Sequence, residues 1–224
     1  MNEKKYFKIS ERFKEIIVKT GRQLYQQNLT IGTWGNISVL DSKTGLVYIK
    51  PSAMEYDEIG LDDVAVLDKD GKIIEGSKKP SVESPMHLAI YKNRKDVFAV
   101  IHYHAIYSGV FAVTGLSLPG ISEDFVQIIG EKVVCAEYAL PGTNELAEKA
   151  IIGLQNRNAV FLANHGTICV GKNIKEAMKV VYALEKTAQI YILSKNLGKC
   201  RVIPEREIKK MQHFMKNEYN VTDI

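Results

Sequence analysis

The sequence predicts an α/β domain in which helices cover a sheet. Short β-like runs joined by turns fill much of the first third of the chain, and segments with helical periodicity alternate with two apolar strands in the rest. No long linker, low-complexity tract or internal repeat divides the 224 residues, and 46% of them are hydrophobic, enough for one sizeable core. We therefore expect a single domain spanning residues 1–224.

One helix and two hairpins are predicted at the start of the chain. Apolar side chains recur at helical spacing from Ile9 to Tyr25, and this helix should end near residues 27–28. Four β-like runs follow in two pairs, each pair joined by turn residues: 36–40 with 46–50, and 64–67 with 72–75. Both pairs should form hairpins, because each connection is short.

The rest of the chain predicts helices separated by strands. Ser84 should cap a helix whose first residue is Pro85 and which continues over residues 86–93. Four further helices are expected: 105–113, 144–154, 174–192 and 205–218. Two apolar runs predict buried strands: 97–102 and 159–163.

Composition excludes several classes of protein. The 30 basic and 26 acidic residues give a net charge of only +4, and the basic residues form no stripe, so we predict no nucleic-acid partner. Cys135, Cys169 and Cys200 are widely separated, which argues against a disulfide framework and suits the cytoplasm. No apolar stretch has the length of a signal peptide core or a membrane span, so we expect a cytoplasmic protein without membrane contact.

Candidate metal ligands occur at the ends of both apolar strands. His102 and His104 are two residues apart, so strand geometry would direct both imidazoles to one face, where they can bind one metal ion. His165 follows the second strand and precedes Gly166, which permits close backbone approach. Taken alone, each histidine is better explained as a capping, core or strand-end polar residue. The presence of all three favours a metal site.

Glu83 is a fourth candidate ligand. Taken alone, it is a glutamate at a helix start, where the helix dipole favours negative charge. Together with three histidines it would complete a tetrahedral zinc shell. Catalytic zinc normally keeps one position open, so Glu83 would leave when substrate arrives and would then act as a base.

Three short polar loops are candidates for binding a phosphate group. They contain Gly, Ser and Asn and comprise residues 33–36, 51–53 and 80–81. Such loops expose backbone N–H groups and hydroxyls, which can hold a phosphate without an adjacent Lys or Arg, although they are also common turn sequences. No glycine-rich nucleotide loop precedes a helix, so nucleotide use is not indicated.

Six segments, in order, resemble the class II (metal-dependent) aldolase/adducin family: TWGNIS, YIKPSAMEYDEI, EGSKKPSVESPMHLAIY, VIHYHA, LPGTNELAEKA and LANHGTICVGKNIKEAM. The resemblance runs from about residue 10 to the C-terminal helix. It implies a three-layer α/β/α fold with a largely antiparallel central sheet. It also implies a homotetramer whose active sites lie between neighbouring subunits.

The resemblance assigns roles to individual residues. It implies that His102, His104, His165 and Glu83 bind Zn2+, or another divalent metal such as Mn2+ or Co2+, and that Glu83 is also the base. The implied phosphate contacts are three pairs: Gly35 and Asn36, Ser52 and Ala53, and Ser81 and Val82. Many relatives have Gly at the position of Ala53 and Ser at that of Val82, so these two residues would offer backbone N–H groups only. Glu123 stands where relatives place an acid/base that serves a neighbouring subunit, although it also reads as a plain surface carboxylate. Tyr219 is the nearest candidate for their C-terminal Tyr.

The implied reaction is retro-aldol cleavage of a ketose 1-phosphate, similar to L-fuculose 1-phosphate, to dihydroxyacetone phosphate and an aldehyde through an enediolate. The span between Glu123 and His165 is short, as in the fuculose-phosphate aldolase, whereas TWGNIS and EGSKKPSVESPMH read more like L-ribulose-5-phosphate 4-epimerase. Aldolases of 5-deoxypentulose phosphates and a methylthioribulose-phosphate dehydratase are further alternatives. A non-catalytic adducin-like module would need none of the four metal ligands, and this chain has them all.

Overall fold

The computed structural model describes residues 8–219 and is built around one large sheet. The strands are β1 (Asn36–Leu40), β2 (Val47–Ile49), β3 (Ala65–Leu67), β4 (Ile73–Glu75), β5 (Ala99–Tyr103), β6 (Leu118–Pro119), β7 (Lys132–Val133), β8 (Cys135–Ala136), β9 (Ala159–Leu162) and β10 (Gly166–Gly171). The helices are α1 (Glu11–Gln26), α2 (Ser84–Asn93), α3 (Ile106–Thr114), α4 (Glu123–Ile128), α5 (Asn144–Leu154), α6 (Ile174–Lys195) and α7 (Glu205–Phe214). A short 3-10 helix (Leu61–Asp63) precedes β3.

Eight of these strands form the sheet, in the order β4-β3-β2-β1-β5-β10-β9-β8. Neighbouring strands are antiparallel except β8 and β9, which are parallel. The short strands β6 and β7 pair separately. Strands β1, β5 and β10 therefore lie side by side at the centre, and the ends of β5 and β10 are brought together by their pairing.

Two apolar layers cover the faces of the sheet. Alternate residues of β5 enter opposite layers: Ile101 belongs to the layer that contains buried side chains of α1, α3, α4, α6 and α7, and Val100 belongs to the layer that contains those of α2 and α5. Complete burial of an aliphatic side chain of this size contributes about 1.5–3 kcal/mol to folding. The predicted three-layer α/β/α arrangement with a largely antiparallel sheet is confirmed.

The start of α2 differs from its prediction. Ser84 is the first residue of the helix and Glu83 occupies the cap position, so the assignment of Ser84 as the cap was wrong. The hydroxyl of Ser84 instead donates to the carbonyl of Ser81 at 2.5 Å. This hydrogen bond connects the loop before α2 to the helix. The side chain of Glu83 makes no capping hydrogen bond to α2.

Other elements had no clear signal in the sequence. Strand β10 was not predicted. It follows His165 after a tight turn in which Asn164 adopts a left-handed φ of 55°. Helix α4 and the two-residue strands β6, β7 and β8 are too short to show periodicity. Helix α7 ends at Phe214 and is followed by a π-helical segment, Met215–Tyr219.

No helix within residues 8–219 is long and apolar enough to cross a membrane.

Candidate active site

Three histidine side chains converge at the centre of the sheet edge. His102 lies near the end of β5 and His104 follows it, while His165 lies in the turn that leads into β10. Because β5 and β10 are paired, with Tyr103 opposite Thr167, this turn is adjacent to the end of β5. Ligand atoms of the three imidazoles lie within 4.8 Å of one another, and the Nε2 atoms of His102 and His104 are 2.8 Å apart.

Gly166 is required by the close packing of these rings. A Cβ atom at this position would lie 2.8 Å from the carbonyl oxygen of Tyr103 and 3.0 Å from ring carbons of both His102 and His104. Contacts this short are not tolerated by packed atoms. The glycine after His165 therefore lets the backbone of β10 approach the histidines.

Glu83 completes the cluster from the other side. Its carboxylate is buried, with Oε2 3.3 Å from Nε2 of His102 and Oε1 3.3 Å from Nε2 of His165. Asn36 donates a hydrogen bond of 2.7 Å from Nδ2 to Oε2. The other oxygen, Oε1, is buried without a hydrogen-bond partner.

The donor atoms of this cluster fit a divalent cation. His102 Nδ1 lies 3.1 Å from the carbonyl oxygen of Thr167, which can only accept, so the proton is on Nδ1 and the Nε2 lone pair faces the cluster. Burial lowers the pKa values of His102 and His104 to about 3, so both rings are neutral. Two neutral nitrogens and an unpartnered carboxylate oxygen that face one another repel unless a cation lies between them. Imidazole and carboxylate groups are common ligands of zinc and of its first-row neighbours.

A cavity of about 420 Å³ adjoins the cluster. His104, His165 and Glu83 form one part of its wall. The six residues predicted to contact phosphate all line it too: Gly35, Asn36, Ser52, Ala53, Ser81 and Val82. The three polar loops, His104, His165 and Glu83, distant in sequence, thus line one cavity.

Two of these loop residues have left-handed backbone conformations. Gly35 has a φ of 74°, and a Cβ there would lie 2.6 Å from the carbonyl oxygen of His102. Ala53 has a φ of 53°, which costs a residue with a side chain about 1–2 kcal/mol. A strained alanine that persists in a binding loop is consistent with a conformation held for the backbone N–H groups it presents.

Lys50 is a cavity residue that the sequence analysis missed. Its ammonium group is buried, donates to the carbonyl oxygens of Thr33 and Pro51 at 3.2 Å each, and lies 4.6 Å from the ring centroid of Tyr56. The loops were expected to be able to bind phosphate without an adjacent cation, and Lys50 adds a cation to the wall of their cavity. Burial lowers the pKa of Lys50 to about 8, so it is mostly charged at neutral pH. The available signal was a lysine inside the apolar run that leads into residues 51–53.

Asn36 has a different environment from the one expected for a phosphate ligand. Its side chain is buried and is occupied by Glu83 on one side and by the ring of His87 on the other, where Oδ1 lies 2.5 Å from Nε2. His87 in turn contacts Ser38. Neither His87 nor Ser38 was identified from the sequence, although the spacing of four residues between Glu83 and His87 was a usable signal.

The segment after His104 is held by a side chain from another helix. The cap residue of α3, Ala105, has no side-chain acceptor. Glu185 of α6 takes its place, because its two carboxylate oxygens accept hydrogen bonds from the backbone N–H groups of Tyr107 at 2.7 Å and Ser108 at 3.1 Å. Burial raises the pKa of Glu185, and these two donors oppose that rise.

Two predicted residues do not lie at this cavity. Glu123 is the first residue of α4, is exposed, and is not among the residues that line the cavity of its own chain. The side chain of Tyr219 lies outside the described residues. Trp34, which was not predicted as a site residue, lines the cavity and stacks on His104.

Comparison with known proteins finds a matching family model and relatives named as sugar-phosphate aldolases. Residues 15–192 match the family model described as Class II Aldolase and Adducin N-terminal domain. A 5-deoxy-D-ribulose 1-phosphate aldolase of Bacillus thuringiensis is 41% identical over 201 residues, 90% of this chain and 94% of the relative. An L-fuculose phosphate aldolase of Escherichia coli is 34% identical over 176 residues, 79% of this chain and 80% of the relative.

Two further comparisons concern the epimerase alternative and the fold. An L-ribulose-5-phosphate 4-epimerase of Salmonella paratyphi C is 26% identical over 217 residues, 92% of this chain and 95% of the relative. A solved structure described as L-fuculose 1-phosphate aldolase superposes with a TM-score of 0.91 and 38% identity, covering 94% of this chain and 99% of that one.

Proposed function

The chain belongs to the class II aldolase and adducin family, and from this membership we propose that it is a metal-dependent aldolase that cleaves a ketose 1-phosphate to dihydroxyacetone phosphate and an aldehyde. The family resemblance seen in the sequence is thereby confirmed, and the relatives named as aldolases support the lyase class. Those relatives act, by their names, on 5-deoxy-D-ribulose 1-phosphate and L-fuculose phosphate. A ketose that carries its phosphate on C1 suits both names.

One observation carries the proposal: a cluster of three imidazoles and one carboxylate shares a cavity with three loops suited to phosphate. An aldolase of this kind must hold the phosphate at one place and the carbons that react at another. The shared cavity supports both requirements in one substrate-sized space.

The phosphate would be bound by the loops and by Lys50. Backbone N–H groups at residues 35, 53 and 82 and the hydroxyls of Ser52 and Ser81 supply hydrogen bonds, and the ammonium of Lys50 supplies the charge. Because this ammonium is anchored to the carbonyl groups of Thr33 and Pro51, it joins two of the loops. We therefore assign Lys50 two roles: it holds the two loops in place, and it supplies the positive charge that attracts the phosphate.

The cluster would hold the metal through His102, His104, His165 and Glu83. When a divalent cation is bound there, it supplies Lewis-acid stabilisation for the negative charge that develops on the substrate oxygens as the C3–C4 bond breaks. The neutral imidazoles leave the site net positive once loaded, which suits an anionic transition state. Zinc, manganese and cobalt all suit this ligand set.

Two proton transfers remain for the protein. A base removes the proton of the C4 hydroxyl, the C4 oxygen becomes the aldehyde oxygen, and the electron pair of the C3–C4 bond stays with the phosphorylated fragment. Glu83, which would take up a proton from solvent on leaving the cluster, then delivers that proton to C3 and so completes dihydroxyacetone phosphate. We assign the C4 proton to Glu123 of a neighbouring copy in a homotetramer, because Glu123 is absent from the cavity wall of its own chain.

The test is a product assay on metal-loaded protein. Purified chain with Zn2+, Mn2+ or Co2+ is offered 5-deoxy-D-ribulose 1-phosphate, L-fuculose 1-phosphate and L-ribulose 5-phosphate, and dihydroxyacetone phosphate and the C4 epimer are measured separately. We expect dihydroxyacetone phosphate from at least one ketose 1-phosphate, and a loss of at least a hundredfold in Glu83→Gln, whose amide cannot carry a proton to C3. Formation of the epimer alone would replace the aldolase by an epimerase.

A further inference from the structure

Behind Glu83, five polar side chains from one helix and one strand form a continuous row of hydrogen bonds. Glu83, His87 and Tyr91 follow one another at intervals of four residues, so they share one side of α2. Asn36 and Ser38 are two residues apart on β1 and share one face of the sheet. The row alternates between helix and strand, with heavy-atom distances of 2.7, 2.5, 2.7 and 2.7 Å from Glu83 to Tyr91.

The carboxylate at one end fixes the direction of every bond in this row. An ionised Glu83 can only accept, so Asn36 donates to it from Nδ2 and accepts on Oδ1 from Nε2–H of His87. The ring of His87 is fully buried, and its two nitrogens contact only Asn36 and Ser38 among the described residues. A neutral ring that donates from Nε2 must accept on Nδ1, here from the hydroxyl of Ser38.

The far end of the row follows the same logic. Once the Ser38 hydroxyl donates to His87, its oxygen accepts from the hydroxyl of Tyr91 at 2.7 Å. Burial lowers the pKa of His87 to about 3, in agreement with a neutral ring. All four donors therefore point towards Glu83, and bonds aligned in this way polarise one another.

We propose that the Ser38–His87–Asn36 part of this row positions the Glu83 carboxylate for proton transfer, with His87 as the neutral Nε2–H tautomer and Oε1 as the oxygen that carries the proton. The inference rests on the proposed role of Glu83 as the base. Oε2 is held by Asn36, whereas Oε1 has no hydrogen-bond partner and faces His165. His87 and Ser38 are positioning residues, because they reach Glu83 only through Asn36.

The tautomer is tested directly, without substrate or metal. Protein labelled with 15N in its histidines is studied by long-range 1H–15N NMR at pH 7, and the ring of His87 is assigned by its absence from the spectrum of His87→Gln. We expect a protonated Nε2 and an unprotonated Nδ1 in the parent protein. A ring protonated on Nδ1, or on both nitrogens, would overturn the proposed direction of the row.

The positioning role is tested by kinetics in a matched pair of variants. Ser38→Ala leaves Nδ1 of buried His87 without a donor, whereas Tyr91→Phe leaves the Ser38–His87–Asn36–Glu83 part intact. We expect Ser38→Ala to lower kcat at least tenfold with KM changed less than twofold, and Tyr91→Phe to lower kcat less than threefold. Deuterium exchange at C3 of dihydroxyacetone phosphate, which needs the metal and Glu83 but not the group that serves C4, should fall in parallel with kcat.

The outcomes separate this inference from the proposed function. Equal effects of the two variants, or an unchanged exchange rate in Ser38→Ala, would overturn the positioning role. Failure of the parent protein to cleave any ketose 1-phosphate or to exchange deuterium would instead overturn the proposed function. Should Ser38→Ala fail to fold, the tautomer of the parent protein still decides the direction of the row.

Discussion

The indole ring of Trp34 stacks on the imidazole of His104, with ring centroids 6.5 Å apart and planes inclined by 15°. Trp34 is the single tryptophan of the chain, and 62% of it is exposed. The chain therefore carries one indole fluorophore in contact with a proposed metal ligand.

This contact predicts a fluorescence signal for metal binding. Addition of Co2+ to metal-free protein should quench the tryptophan emission with one equivalent, because an open-shell ion near an excited indole offers a path for energy loss. Zn2+, whose d shell is filled, should bind with much less quenching and should then block the effect of Co2+. Calorimetry that detects Co2+ binding without any change in emission would place the ion away from His104.

Gly166 predicts that the metal site is sensitive to one added methyl group. Gly166→Ala should reduce bound metal at least tenfold, because its Cβ would lie 2.8 Å from the carbonyl oxygen of Tyr103 and 3.0 Å from two histidine rings. Metal content is measured by elemental analysis after dialysis against buffered Zn2+. Gly109→Ala in α3 is the matched control, since a Cβ there meets nothing within 4 Å. The control should gain about 0.5–1 kcal/mol of stability and keep its metal.

Lys50 predicts a pH dependence of substrate capture. Its pKa in the free enzyme is about 8, so the ammonium loses its proton, and the phosphate loses its attraction, as pH rises through 8. The ratio kcat/KM, which reports the free enzyme, should fall on this alkaline side. Lys50→Met should raise KM at least tenfold at pH 7 and remove that descending limb. If the fall in kcat/KM at alkaline pH persists unchanged in Lys50→Met, the titration of another group causes it.

Glu185 predicts an effect on metal affinity from outside the cluster. Glu185→Ala should weaken Zn2+ binding about tenfold or more, because α3 would lose the acceptor for its first N–H groups and the segment after His104 would loosen. Asn173→Ala is the control, because the side chain of Asn173 caps α6 by accepting a hydrogen bond from the backbone N–H of Glu176. Each variant should lose about 1 kcal/mol of unfolding free energy. If both keep parental Zn2+ affinity in a chelator competition, the cap is structural only.

Local periodicity accounts for what the sequence predicted well. The spacing of His102 and His104 placed both rings on one face before any contact was known, and the long apolar pattern of α6 gave its bounds to within a few residues. These signals work because a strand or helix fixes the direction of its own side chains. His165 and Glu83 were candidate ligands of the same metal from the residues alone, and the resemblance implied the same assignment, but no local pattern could bring these distant segments together.

Burial and tertiary partners account for what it missed. In the sequence, Lys50 looks like an ordinary surface lysine. In the structure it directly follows β2, and its ammonium group contacts the carbonyl oxygens of Thr33 and Pro51 and the ring of Tyr56. Ser84 has the right residue type for a cap, yet the loop geometry gives the cap position to Glu83. Both outcomes depend on contacts between segments distant in sequence, which propensity does not encode.

Glu123 gives a prediction about assembly. It is exposed at the start of α4 and absent from its own cavity wall, so the proposed acid/base role requires that it serve a site of another copy. If so, Glu83→Gln and Glu123→Gln chains should each be inactive alone but should regain activity when coexpressed. In a cyclic assembly formed at random from equal amounts, about a quarter of the sites would combine an intact Glu83 with an intact neighbouring Glu123.

The mixture is therefore expected to reach about a quarter of the parental rate per site, because each site draws on two chains. Light scattering on the same samples should report a tetramer. The control is a mixture of Glu83→Gln with His104→Ala, whose lesions fall in the same site and cannot be repaired by mixing. Activity in the control mixture would mean that a site takes more from the neighbouring chain than the segment with Glu123. Full activity of Glu123→Gln alone would show that this carboxylate is a surface group without a role in catalysis. Recovery only in the Glu83 and Glu123 mixture is what a site built across two copies requires.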